Sequence, residues 1–237
     1  VIRRKQIQIY WLPIPATFKV EDLQIYDKLL DPQEKDIYQR YQVDFKKIEF
    51  VLGRALLKTQ IGKALQIAPE DVRFYKNKYG KLYLDARSVR DQSLIYFNLS
   101  HTDGMVVCSL SQVAEVGIDV EKIKENDLEA MKLVFTPPEC EFVRSQKIED
   151  QLRSFYLLWT RKEGVMKAEG KGFSLPPQSF QVPTNLGRCE SESYVYHTFQ
   201  PTGEYMISVV VRNGNEDLMF QENQLSVQTL KSICCQC

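Results

Sequence analysis

The sequence predicts a mixed α+β protein on three observations. Residues 149–170 place apolar side chains at helical spacing and end at glycines, and residues 45–64 repeat that spacing after Asp44. Between and after them, short segments such as LIYFNLS and VGIDVE alternate or run apolar between turn residues, as strands do. A chain of 237 residues holds one large domain or two of roughly 100 to 130 residues. Lys plus Arg and Asp plus Glu both number 31, so the net charge is zero and nothing draws the whole chain to nucleic acid or to an anionic membrane. Any anion site must be local. No run of about 18 apolar residues is present, and the basic start VIRRKQ leads into the strand-like IQIYWL. The expectation is a soluble, cytoplasmic monomer. Six cysteines do not resemble a secreted disulfide framework and read as reduced thiols, with the CCQC tail frayed.

Taken in order, Ile7 to Leu12 forms a short strand that meets Pro13 and Pro15. Val20 to Leu30 and Pro32 to Tyr41 read as helices, the second capped by Asp31 with Pro32 at its first position. Asp44 is placed to cap the next helix, which turns Ile48, Leu52, Ala55 and Leu56 inward. Its other side carries Lys47, Arg54 and Lys58, either a solvated basic face or one wall of an anion site. VRFY and LYL then flank the turn NKYGK, where Lys76, Lys78 and Lys81 surround Gly80. Tyr96, Asn98 and Ser100 share one face of the following strand, and Asp103 with Gly104 marks a hairpin into MVVCSL. His101 precedes that turn, as a structural residue or a ligand contact. Beyond the long helix, strands are expected around 194–199, 205–211 and 217–221.

Besides FNLSHTDG, two further segments carry polar groups that their elements do not explain. VGIDVE sends Val116, Ile118 and Val120 to the core and puts Gly117, Asp119 and Glu121 on the opposite face. Carboxylates two residues apart on a strand lie about 7 Å apart at the backbone and can converge on a cation. A solvated acidic face is the alternative. Gly117 beside them leaves room for whatever they hold. In WTRKEGVMKAEGKG, Glu163 lies four residues beyond Trp159 and Lys167 four beyond Glu163, all on the helix's predicted inward stripe. Such a pair is either an ordinary helix-surface contact or part of a site.

FNLSHTDG, VGIDVE and WTRKEGVMKAEGKG together resemble the 4′-phosphopantetheinyl transferases, specifically the larger type that activates peptide and polyketide synthetases. The family's SH before a hairpin, its (V/I)GIDxE and its W(T/S)xKE with a following lysine occur here in order. GRALLK and YGK extend the likeness over most of residues 25–180. The resemblance implies two similar α+β halves in a pseudo-twofold arrangement, 1–112 and 113–237, with coenzyme A in the cleft between them. It implies that Asp119, Glu121 and Glu163 bind Mg²⁺, that Lys167 meets the pyrophosphate, and that Ser100, His101 and Lys81 meet the adenosine and its phosphates. Glu34 and Ile37 stand where some relatives have lysines for the 3′-phosphate, which leaves Lys35, Arg54 or Lys58 to substitute.

The implied reaction transfers 4′-phosphopantetheine from coenzyme A to a serine of an apo acyl or peptidyl carrier protein, releasing adenosine 3′,5′-bisphosphate, with Glu163 and Lys167 as catalytic residues. The alternatives are a catalytically silent carrier-protein binder and a metal-dependent hydrolase. The carrier is expected to dock on Lys122 to Phe135, where Leu128 and Met131 lie three apart just after Glu121.

Overall fold

Residues 6–13 form strand β1 (Gln6–Pro13), which buries Ile7 and Ile9 completely. The structure, a computed structural model, describes residues 6–85, 94–125, 128–212 and 217–236. Val20–Leu29 follows as a 3₁₀ helix, where an ordinary helix was expected. The buried Leu23, Tyr26 and Leu29 explain the difference, because a spacing of three lines them up at three residues per turn. Helix α1 (Pro32–Arg40) has the cap its sequence announces: the Asp31 carboxylate accepts from Glu34 N at 2.9 Å, and Glu34 returns the contact. Helix α2 (Asp44–Leu65) starts differently from expectation. Its N-cap is Val43, with no side-chain cap, and Asp44 is the first helical residue. There its charge acts on the helix dipole rather than on an orphan N–H.

The short hairpin β2 (Phe74–Lys76) and β3 (Leu82–Leu84) precedes β4 (Tyr96–Thr102) and β5 (Met105–Ser111). The turn between β4 and β5 is the expected Asp103–Gly104, with Gly104 at φ 79°. The pattern then repeats. Strand β6 (Val116–Lys122) is followed by α3 (Met131–Val134), α4 (Pro137–Ser145) and α5 (Ile148–Glu169), and then by β7 (Gly187–Glu190), β8 (Tyr194–Phe199) and β9 (Tyr205–Arg212). In each half the leading strand pairs antiparallel with the last strand of a hairpin, giving the orders β1-β5-β4 and β6-β9-β8-β7. In each half a 22-residue helix connects them. Strand β4 of the first half lies against β6 of the second, and Phe199 of β8 meets Trp11 of β1 at 5.5 Å. These are the two like contacts of the pseudo-twofold arrangement.

Ile7, Ile9 and Val107 share one apolar cluster with Ile118, Val120 and Ile207, so the halves meet through a common core. The chain's end returns to the first half. Strand β10 (Met219–Gln224) adds parallel to β1, and α6 (Val227–Gln236) buries Leu230 and Cys234 in the cluster around α2. The tail expected to fray is therefore helical as far as Gln236 and packed through Cys234, while Cys237 lies outside the described residues. Helix α5 ends as predicted, at Gly170 with φ 65°. It is buried on nearly every side, because β6 and β9 cover one face and the segment around Pro177–Pro183 another.

Candidate active site

Two glycines set how closely α5 approaches the sheet. A Cβ on Gly117 of β6 would lie 2.0 Å from the Gly164 carbonyl oxygen, and one on Gly164 would lie 2.6 Å from Val210 Cγ2 of β9. Gly117 thus makes room for the backbone of α5, not for a ligand of the carboxylates as the sequence suggested. The close approach brings Lys167, on the turn after Gly164, onto the acidic strand. Its Nζ lies 2.5 Å from Asp119 Oδ1 and donates to Ser100 Oγ at 2.8 Å, while that hydroxyl donates to the same Oδ1 at 3.0 Å.

Strands β4 and β6 are joined here by side chains. Ile118 N donates to Asn98 Oδ1 at 3.1 Å, and Thr102 Oγ1 donates to Glu121 Oε2 at 3.4 Å. Trp159 Nε1 of α5 donates to the other oxygen of Glu121 at 3.2 Å. Asp119 is 3% exposed, and its Oδ2 is buried without a hydrogen-bond partner. Burial pushes the Glu163 carboxyl up to about 7; Lys167 opposes this, and Asp119 and Glu121 add to it. Glu121 is raised as well, by burial and then by Asp119. The three carboxylates therefore repel one another across a shared space.

Among the described residues, no three His, Cys, Asp or Glu side chains are already gathered as a metal cage. Asp119 is turned to Lys167 and Glu121 to Trp159. The donors nevertheless suit Mg²⁺. They are all oxygen, one of them, Asp119 Oδ2, is an orphan, and their mutual repulsion is the kind a divalent cation relieves.

Lys167 also lines a cleft of about 340 Å³ between α2, the β2–β3 turn, β4 and the end of α5. His101, Lys81, Lys76 and Arg54 line it too, so the structure brings several of the predicted cations to one place. Not all are available. Lys81 Nζ donates to Glu115 Oε2 at 2.6 Å and to the Ala168 carbonyl at 2.9 Å, tying the β2–β3 turn to the end of α5. Arg54 Nε stands 2.9 Å from Glu34 Oε1. Lys58 is fully buried, 2.5 Å from Glu34 Oε2 and 2.7 Å from the Leu29 carbonyl, so it is neither solvated nor in reach of a ligand. Lys35 pairs with Asp27 at 2.9 Å and does not line the cleft.

The proposed docking pair is corrected as well. Met131 is 2% exposed and belongs to the core with Phe135 and Phe155, because α3 is a single turn that rolls it inward; Leu128 packs half-buried against the same cluster. Leu133, 77% exposed, is the apolar side chain this segment shows to solvent. The sequence reading also missed Arg161 and Lys162, both 0% exposed. Arg161 donates to the carbonyls of Pro183 and Asn185, and Lys162 to those of Pro177 and Phe180 while pairing with Glu139 at 2.8 Å. Their role is to hold the loop after α5. Two adjacent cations within the largely apolar middle of the helix, Phe155 to Met166, were the one available sign.

Ser100, Asp119 and Lys167 thus link β4, β6 and α5, with a cleft above them at the junction of two repeated halves. Residues 115–210 match the sequence profile of the 4′-phosphopantetheinyl transferase superfamily, and residues 10–113 match that of the 4′-phosphopantetheinyl transferase N-terminal region. The 4′-phosphopantetheinyl transferase gsp of Aneurinibacillus migulanus is 31% identical over 179 residues, 76% of this chain and 72% of that protein. The 4′-phosphopantetheinyl transferase Sfp of Bacillus subtilis (strain 168) is 30% identical over 74% of this chain and 76% of its own. HetI of Nostoc sp., also a 4′-phosphopantetheinyl transferase, is 29% identical over 71% and 78%. The chain belongs to the 4′-phosphopantetheinyl transferase superfamily and is an enzyme of the larger, two-half type. Among the described residues, no helix is long and apolar enough to cross a membrane.

Proposed function

We propose that the chain moves 4′-phosphopantetheine from coenzyme A, in an Mg²⁺-dependent reaction, to a serine of an apo acyl or peptidyl carrier protein, releasing adenosine 3′,5′-bisphosphate. The observation that carries the reading is the bridge from Lys167 to Asp119 and Ser100 at the foot of the cleft. Coenzyme A lies in that cleft between halves 1–112 and 113–237, with its nucleotide toward His101 and the β2–β3 turn. Since both walls come from one chain, a monomer suffices. Free cysteines at all five described positions accord with a reducing, cytoplasmic setting.

Lys167 places its ammonium beside the pyrophosphate and neutralises charge on the leaving bisphosphate. Glu163 takes the proton of the carrier's serine hydroxyl at a carboxylate oxygen. The serine oxygen then bonds to the β-phosphorus as the bond to the bisphosphate oxygen breaks. Asp119, Glu121 and Glu163 would hold Mg²⁺, which supplies positive charge to the pyrophosphate oxygens when bound. Trp159 and Thr102 fix both oxygens of Glu121, and Ser100 orients Lys167. The carrier docks along Lys122 to Phe135, beside Glu121, with Leu133 as its apolar contact. The test is to incubate enzyme, coenzyme A and Mg²⁺ with an apo carrier protein and weigh the carrier. The reading expects a mass gain of one phosphopantetheine; an unchanged carrier with hydrolysed coenzyme A would point to the hydrolase instead.

A further inference from the structure

The wall that α2 gives the cleft holds a buried carboxylate with no part in the chemistry above. Glu49 is 3% exposed. Its Oε2 accepts from Lys46 Nζ at 2.8 Å and lies 3.1 Å from Nδ1 of His101 on β4. Burial alone would push this carboxyl up, but the hydrogen bonds from His101 and Lys46 outweigh it and hold it below its usual range. It is an anion placed against an imidazole.

His101 lines the cleft with its side chain 41% exposed, and its Nε2 has no protein partner among the described residues. Three of the neighbouring cleft cations are engaged elsewhere, Lys167 with Asp119, Lys81 with Glu115 and Arg54 with Glu34, while Lys76 lines the cleft from the β2–β3 side. A carboxylate at Nδ1 requires a proton on that nitrogen and fixes the plane of the ring. The opposite edge is then presented to the cleft. Without that contact the exposed ring would turn freely about its bonds, and a ligand would bear the cost of ordering it.

We infer that Glu49 is a positioning residue for substrate binding: it holds His101 with Nδ1 protonated and Nε2 turned to the nucleotide end of coenzyme A. The inference rests on the reading that coenzyme A occupies this cleft. Glu49 acts through His101 and touches no reacting atom. Lys46 is itself part-exposed, so removing Glu49 leaves no buried cation unpaired.

Calorimetric binding of coenzyme A to the whole chain tests it, using the wild type, His101→Ala, Glu49→Ala, Glu49→Gln and the double variant Glu49→Ala with His101→Ala. His101→Ala and Glu49→Ala should each weaken binding about tenfold, the scale of one hydrogen bond involving a charged group. The double variant should also lose about tenfold and not a hundredfold, because both changes remove one effect. Glu49→Gln, which keeps the volume and an acceptor but not the charge, should lose less; if Glu49→Ala does not fold, the same comparison is made with it. Long-range ¹H–¹⁵N spectra add a readout that loosened packing would not move. The chain has two histidines, so His101 is told from His197 by a single variant. Its Nδ1 should carry the proton in the wild type and lose that preference in Glu49→Ala. Additive losses, or unchanged binding in both Glu49 variants while His101→Ala is impaired, would overturn the role of Glu49. Wild-type affinity in His101→Ala would instead overturn the placement of coenzyme A, and the inference with it.

Discussion

Asp119 and Glu163 lie within electrostatic reach of each other but face different constraints. Asp119 has its charge answered on one oxygen by Lys167 and unanswered on the other. Glu163 is raised by burial and by its two acidic neighbours. In the native chain Glu163 holds its proton up to about pH 7, whereas a free carboxyl releases it near pH 4.5. The native state therefore binds more protons between those values, and its stability falls as pH rises through the window. Glu163→Gln removes this loss. Its melting temperature without Mg²⁺ should exceed the wild type's at pH 8 and match it near pH 4.5; an equal difference at both pH values would show that the charge is not the cause. These residues were legible as candidates in the sequence only through the ordered motifs they share with the family, because a carboxylate pair on a strand and a Glu–Lys pair on a helix each had an ordinary surface reading as well. Glu49, Glu34 and Lys58 were not, since their meaning depends on which helix faces which strand. Glu34 and Lys58 lie 24 positions apart and meet at 2.5 Å only once α1 folds against α2.

Helix α5 and strand β6 form one working unit, held at close range by Gly117 and Gly164. Gly117→Ala must push the helix away from a backbone oxygen, so it should cost about 1 to 3 kcal/mol of stability, the usual scale of overpacking. Transfer should fall at least tenfold even in the folded fraction, because Lys167 and Glu163 move with the helix. Denaturant titration and single-turnover assays read the two effects separately. The segment from Leu128 to Val134 makes the opposite case. Met131→Ala should destabilise the protein by about 2 to 4 kcal/mol as a buried truncation. Leu133→Ala should leave the melt unchanged and raise KM for the carrier; a normal KM would move the docking surface elsewhere. Most helices and strands were readable from periodicity, with the caps at Asp31 and Gly170, but β7 and α6 were not. What periodicity could not show was the inward roll of Met131, since a four-residue helix has too few turns to display a face.

At the scale of the whole molecule, the two halves repeat one topology, share an apolar core and are tied by the return of β10 and α6 to the first sheet. Such a core predicts a single cooperative unfolding transition, and neither half should fold when expressed alone. Removing residues 217–237 should abolish that transition, because it strips β1 of its parallel partner and the first core of Leu230 and Cys234. A truncated chain that still melts cooperatively at the wild-type temperature would show that the tail is dispensable. The pseudo-twofold arrangement matters because it sets β4 beside β6, where Ser100 from one half and Asp119 and Lys167 from the other come together. That junction is the centre of the account. Its most direct test is the intact mass of an apo carrier protein incubated with coenzyme A and Mg²⁺ and either the wild type or Asp119→Ala, both confirmed folded by their melts. The account predicts a phosphopantetheine-bearing carrier with the wild type and an unmodified carrier with Asp119→Ala. Equal modification by the two proteins at the same Mg²⁺ concentration would contradict it.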